Sequence, residues 1–194
     1  AQSIARTQRK AGDGPNILGT MGCAAAHRRA MGIATNKSRY TKKPMVMILE
    51  DDQNPVYDFK VKMYRLLHNE MPCDWDVLSL HTLCPHGVCL SKHLLRIVPD
   101  DRAPESRCRH GSNLAFYGMV YRAEQLPRIL SMLWKKMWDP NRPFCLDIDV
   151  ALASASDQFV YYAVSDNLLP GFVMDDGSAS SRVNINNKNQ GLSE

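Results

Sequence analysis

The chain has no apolar stretch approaching the roughly 18 residues needed to span a bilayer, so a transmembrane helix is not expected. It lacks an initiator methionine, and Ala1-Gln2-Ser3-Ile4-Ala5-Arg6 is too short in apolar residues for a signal peptide. It reads as a processed or partial chain. Internal repeats are absent, which argues against a solenoid or propeller. Acidic residues are scarce at the front. Residues 1–43 hold nine Lys/Arg against one acid, Asp13, a local net charge of +8 in a chain whose total is +4. Such a front end suits an anionic partner, whether a phosphate, a nucleic acid or a membrane surface, or is simply a solvated basic face.

What is present describes a globular domain. With 194 residues, 44% hydrophobic and 23% charged, the chain can bury a core of ordinary size. Gly22 to Ala34 is Ala-rich and free of Pro, with Ala24, His27, Met31 and Ala34 along one side of an expected helix. Met45 to Leu49 is a short continuous apolar run bounded by Pro44 and by acids, the pattern of a fully buried parallel strand. Asp58 to Met71 is an amphipathic helix stopped by Pro72, with Phe59, Val61, Met63, Leu66 and Leu67 as its apolar positions. Strands are expected at Trp75–Leu80, Leu94–Val98, Leu114–Tyr121 and Phe159–Val164, and helices at Arg122–Trp138 and Asp147–Ala155. Residues 1–170 form the expected catalytic domain, and 171–194, rich in Ser, Asn, Asp and Gly, an extended or loose tail. Alternating strands and helices predict an α/β fold around a mostly parallel sheet.

In such sheets ligands bind beyond the carboxyl ends of the strands. Glu50-Asp51-Asp52 stands at one of those ends. Three adjacent carboxylates repel one another, and oxygen-only donors suit hard cations such as Mg²⁺ or Mn²⁺. On an extended chain Glu50 and Asp52 would share a face while Asp51 points away. A plain helix N-cap at Asp51 or Asp52 is the alternative. Asp147 and Asp149 form a second acidic pair, suited to a general base or, for Asp147, to a helix cap. The stretch 81–112 gathers Cys84, His86, Cys89, His93, Cys108 and His110 at irregular spacing, leaving structural zinc, a disulfide or unlinked residues open. Trp134 and Trp138, one helical turn apart, are expected to pack rather than stack on a sugar.

Four blocks, in order, resemble the family 25 glycosyltransferases, which include bacterial lipooligosaccharide and procollagen galactosyltransferases. Ala11-Gly12-Asp13-Gly14, then Gly22-Cys23-Ala24-Ala25-Ala26-His27, is similar to the family's A-x-D-G and G-C-x-x-S-H stretch, with Ala26 where Ser is usual. Met47 to Asp52 resembles its I-L-E-D-D strand end, and Trp75 to Leu80 its W-D-I-L-x-L strand. Tyr117 to Ala123 with Leu146-Asp147-Ile148-Asp149 resembles its A-Y-x-I-S-x-x-G-A and following V-D elements, and Leu169 to Val173 with Ser180-Ser181 is similar to its terminal P-x-V … S segment. The resemblance spans roughly residues 11–183. It implies a GT-A-like, Rossmann-like fold lacking the first βα unit, whose I-N-L-x-x-R-x-x-R element this sequence does not carry; Arg6, Arg9 and Lys10 are the nearest remnant.

The implied activity is transfer of a hexosyl group, galactosyl from UDP-galactose by family default, to a hydroxyl of a glycan or protein acceptor. Under it Asp52 and Glu50 hold Mn²⁺ or Mg²⁺, while His27, Glu50 and Asp51 serve the UDP-sugar. Asp149, or Asp147, is the base. Bacterial members are cytoplasmic and procollagen-type members lie in the ER/Golgi lumen, so compartment stays open. The rival expectation is a non-catalytic, zinc-stabilised binding module or an inactive transferase relative, contacting an anionic partner through the basic front end. Nucleic acid is not expected as a partner of the transferase.

Overall fold

The computed structural model describes residues 17–81, 86–99, 116–138, 147–165 and 171–175. Along the chain run α1 (Ile17–Thr41), β1 (Met45–Leu49), β2 (Gln53–Pro55), α2 (Phe59–Asn69), β3 (Val77–Ser79), β4 (Gly87–Cys89) and β5 (Leu94–Ile97). They are followed by β6 (Gly118–Arg122), α3 (Leu126–Trp138), α4 (Ile148–Ala153), β7 (Tyr161–Val164) and β8 (Val173–Asp175).

Six strands form one sheet in the order β1-β6-β3-β7-β5-β4, and β2 pairs with β8 in a separate ribbon. The expected α/β class holds, but the mostly parallel sheet does not. Only β3 and β7 are paired in parallel; β1–β6, β3–β6, β5–β7 and β4–β5 are antiparallel. The correction has a physical reason. An unbroken apolar run reports burial on both faces, which any central strand needs whatever its direction. Because β1 and β3 both oppose β6, and β7 runs with β3, the strands β1, β3 and β7 point the same way. Their carboxyl ends therefore lie along one edge, where β6 begins.

Side chains alternate across the sheet as the two-residue period requires. Val77, Met119, Tyr121, Tyr161 and Ala163 join a core with α1, α3 and α4. Leu78, Val120, Tyr162 and Val164 join a second core with α2 and Phe172. The result is three layers, helices on both faces of the sheet.

The helix α1 is longer than the Gly22–Ala34 segment expected. Ala24, His27, Met31, Thr35 and Ser38 are its buried residues, spaced three and four apart so that they form one stripe. Weak helix formers near its end return their hydroxyls to the backbone: Thr35 Oγ1 donates to the Met31 carbonyl at 2.9 Å, Ser38 Oγ to Thr35 at 3.0 Å and Thr41 Oγ1 to Lys37 at 2.9 Å. Lys42, at φ 54°, takes the left-handed conformation that ends helices, and Pro44 follows. Arg28 lies over the Trp134 ring, 3.5 Å from its centroid, joining α1 to α3. The Trp138 side chain is outside the described residues.

The strand β1 is also corrected. Expected to be fully buried and parallel, it pairs only with antiparallel β6 among the described residues. Ile48 is buried, whereas Met45 and Met47, on the other face, are 41% and 42% exposed. In α2, Leu66 is buried and Phe59, Met63 and Leu67 pack beside it, while Val61 falls off the stripe and is exposed. Gly171 to Asp175 lies in the stretch expected to be extended or loose. Its Phe172 is 1% exposed, and Val173–Asp175 is the ribbon strand β8. Residues 176–194 lie outside the described ones.

Candidate functional site

The acidic triplet occupies the turn that joins β1 to β2. It is anchored at both ends. The Glu50 amide donates to the Tyr117 carbonyl at 2.9 Å, at the start of β6, and the Glu50 carbonyl accepts from the Gln53 amide at 3.2 Å. A turn, rather than extended chain, therefore sets the three side chains, and period-two alternation does not decide their directions. A strand follows the turn, so neither Asp51 nor Asp52 caps a helix. Glu50 turns inward, its side chain 24% exposed. Asp51 is exposed. Asp52 is half-buried, and its Oδ1 accepts from Gln53 Nε2 at 3.3 Å.

Glu50 meets His27. The imidazole Nε2 lies 3.1 Å from Glu50 Oε1, with the His27 side chain only 7% exposed. The ring packs edge-on against Phe116, centroids 4.6 Å apart at 89°. Its other nitrogen, Nδ1, is buried without a hydrogen-bond partner among the described residues. Burial alone would push the ring toward the neutral form. The Cys23 thiol, one helical turn earlier, and the Glu50 carboxylate outweigh that, and the His27 pKa is pushed up to about 9. In the metal-free protein this favours an imidazolium held against the Glu50 carboxylate at neutral pH.

Cys23, His27 and Glu50 have one potential ligand atom each, all within 4.8 Å of one another. Among the described residues this is the group of three or more His, Cys, Asp or Glu that so converges. Sequence reasoning took His27 and Glu50 as donor-site residues and passed over Cys23. The four-residue spacing Cys23–His27, which puts both on one helix face, was the available signal.

Two more side chains share this sheet edge. His81 follows β3 and Tyr117 precedes β6, their rings 5.2 Å apart. Burial lowers the His81 pKa, favouring the neutral ring. Asp147 stands at the N-cap of α4 with an extended backbone, yet its side chain makes no capping hydrogen bond. Asp149 is in the first turn, and its Oδ1 accepts from the Val150 amide at 2.7 Å. Neither joins the Cys23–His27–Glu50 group, and both hold further interactions.

The Cys/His stretch is only partly described. Cys84, Cys108 and His110 lie outside the described residues, as does Cys145. Cys89 is an exposed free thiol on β4, and His93 Nδ1 is 2.8 Å from Glu70 Oε1. Ser91 donates to the same carboxylate, and the two contacts outweigh burial to lower the Glu70 pKa. At the other end of β1 a cavity of about 590 Å³ is lined by Arg39, Lys42, Lys43, Arg122 and Trp75. It collects part of the basic front end, away from the triplet.

No family model matches this chain, and no curated protein matches it. The resemblance to family 25 thus rests on the order of the sequence motifs alone. Among the described residues no helix is long and apolar enough to cross a membrane.

Proposed function

We propose that the protein is a metal-dependent transferase that moves a hexosyl group from a nucleotide sugar to a hydroxyl of a glycan or protein acceptor. A GT-A-like arrangement and a UDP-galactose donor belong to the same proposal. The observation that carries it is the position of the acidic turn. Glu50-Asp51-Asp52 leaves β1 at the edge where the carboxyl ends of the co-directional strands β1, β3 and β7 lie together, the end that holds phosphate-bearing ligands in mostly parallel α/β sheets.

The donor set fits a hard divalent cation. Asp52 and Asp51 offer only oxygen, at a turn with one carboxylate exposed and the other half-buried. Asp52 chiefly would hold Mn²⁺ or Mg²⁺, with Glu50 behind it turned to His27. When bound, the cation would offset charge developing on the leaving diphosphate. In the metal-free protein the His27 imidazolium adds positive charge beside the same turn. Asp149, or Asp147 beside it, would take the proton of the acceptor hydroxyl.

The test is hydrolysis and transfer of UDP-galactose with Mn²⁺ present and with it chelated. Asp52→Ala should lower the Mn²⁺-dependent rate by about 100-fold or more, the scale of losing one charge-stabilising group. Absence of both donor binding and donor hydrolysis across UDP- and GDP-sugars would sink the proposal. So would an Asp52→Ala protein as active as the parent.

A further inference from the structure

We propose that Cys23, His27 and Glu50 form a binding site for a borderline transition-metal cation, Zn²⁺ in particular, distinct from the hard-cation position at Asp52. The inference is independent of the transferase reading.

Three observations carry it. The first is the donor set. One thiol, one imidazole and one carboxylate are the ligand types of three-coordinate protein zinc sites that keep a fourth position open, and sulfur with nitrogen disfavours Mg²⁺ or Mn²⁺. The second is distance. Zinc bonds of about 2.0–2.3 Å in a tetrahedron place ligand atoms roughly 3.3–3.6 Å apart. His27 Nε2 and Glu50 Oε1 already stand 3.1 Å apart, and all three ligand atoms fall within 4.8 Å. Side-chain rotation of Cys23, which is only partly buried, closes the remainder.

The third is rigidity. Cys23 and His27 occupy successive turns of α1, a 25-residue helix fixed to α3. Glu50 is pinned through its amide to Tyr117. The imidazole is more than nine-tenths buried and packs edge-on against Phe116, and the metal would replace the proton on the Nε2 that faces Glu50. A pair of donors on one helix and a third on an adjoining strand end is a preorganised chelate, so little ordering is left for the metal to impose. The partly exposed side of Glu50 leaves room for water as the fourth ligand.

The geometry also separates two metal chemistries that the sequence alone merges. Glu50 faces the helix and belongs to the sulfur–nitrogen–oxygen group, while Asp52 lies beyond it with oxygen ligands only.

The experiment uses the full chain, stripped with a chelator and dialysed. Zinc is titrated calorimetrically, and Co²⁺ is added separately as a spectroscopic probe. The expected result is one tight zinc that depends on this group, and a Co²⁺ thiolate charge-transfer band. Cys23→Ser should abolish the band and weaken that zinc by more than about 100-fold, beyond the 10–100-fold that losing an outer partner brings. Glu50→Gln should weaken zinc while keeping the thiolate band. Circular dichroism checks that each variant folds, and a zinc-induced rise in melting temperature of the parent provides a readout needing no variant. Asp52→Ala should leave zinc stoichiometry unchanged, so failure of the transferase proposal and failure of this one give different results. The proposal is overturned if the parent takes up no zinc, or if folded Cys23→Ser protein binds it as tightly and keeps the Co²⁺ band.

Discussion

The placing of His27 beside Cys23 and Glu50 makes stability depend on pH in a direction opposite to that of most carboxylate pairs. The folded ring has its pKa pushed up to about 9 from an ordinary 6.5. At roughly 1.36 kcal/mol for each tenfold change in proton affinity, this corresponds to about 3 kcal/mol of stability. A raised histidine pKa gives stability that is fully present below 6.5 and is lost as pH rises through about 9. The window is thus pH 6.5 to 9, in which the unfolded chain has released the proton and the folded one has not. Glu50→Gln removes the carboxylate while keeping the side chain's shape. Burial then weighs more heavily, and the ring should become neutral at lower pH. The expected record is an NMR titration of the His27 ring, in chelator, with a midpoint near 9 in the parent and well below that in Glu50→Gln. Urea unfolding should find the variant destabilised at pH 6.5 and the gap narrowing toward pH 9. A parent ring that titrates at or below 6.5, or a gap that does not change with pH, would refute the reasoning.

Asp76→Ala should destabilise the protein by about 1–3 kcal/mol, because the buried Asp76 Oδ2 accepts from the Val160 amide at 2.8 Å and its loss strands that donor. Asp76→Asn keeps an oxygen acceptor and should recover most of the loss in denaturant unfolding; equal stability of the alanine variant and the parent would contradict this. Tyr121→Phe should be neutral or stabilising by up to about 1–2 kcal/mol, since the Tyr121 hydroxyl is buried without a hydrogen-bond partner among the described residues. A loss exceeding about 1 kcal/mol in thermal unfolding would mean that this hydroxyl is satisfied.

Much of the fold was legible because its signals are local. Asp58 to Met71 shows helical spacing, and Trp75–Leu80, buried throughout, shows an apolar run. Strand direction was not legible. Between Val77 and Ser79, parallel pairing with β7 and antiparallel pairing with β6 ask for the same buried residues. Met45–Leu49 misled in another way. Its run of apolar residues implied cover on both faces, but on the second face only Leu49 packs against the core that α2 joins, and Met45 and Met47 are partly exposed. At the site, His27 and Glu50 were each picked out separately. Their contact spans 23 residues and exists only because α1 passes the end of β1, a tertiary fact that neither motif encodes. Cys23 needed one step more, reading a helix face as a ligand face.

The strand β6 bears on the order in which the molecule assembles. It lies between β1 and β3 in the sheet, yet is made long after both. In the emerging chain, β1 has no sheet partner among the described residues until residues 118–122 have left the ribosome. The Glu50 amide likewise waits for the Tyr117 carbonyl. The anchoring of the acidic turn is therefore a late event, completed only when a distant segment pairs between two stretches made well before it. Domains with such long-range pairings fold slowly and stay exposed to misassembly meanwhile. A cation that bridges α1 to the end of β1 would bind ligands made early, at a turn that is anchored only once Tyr117 has been made.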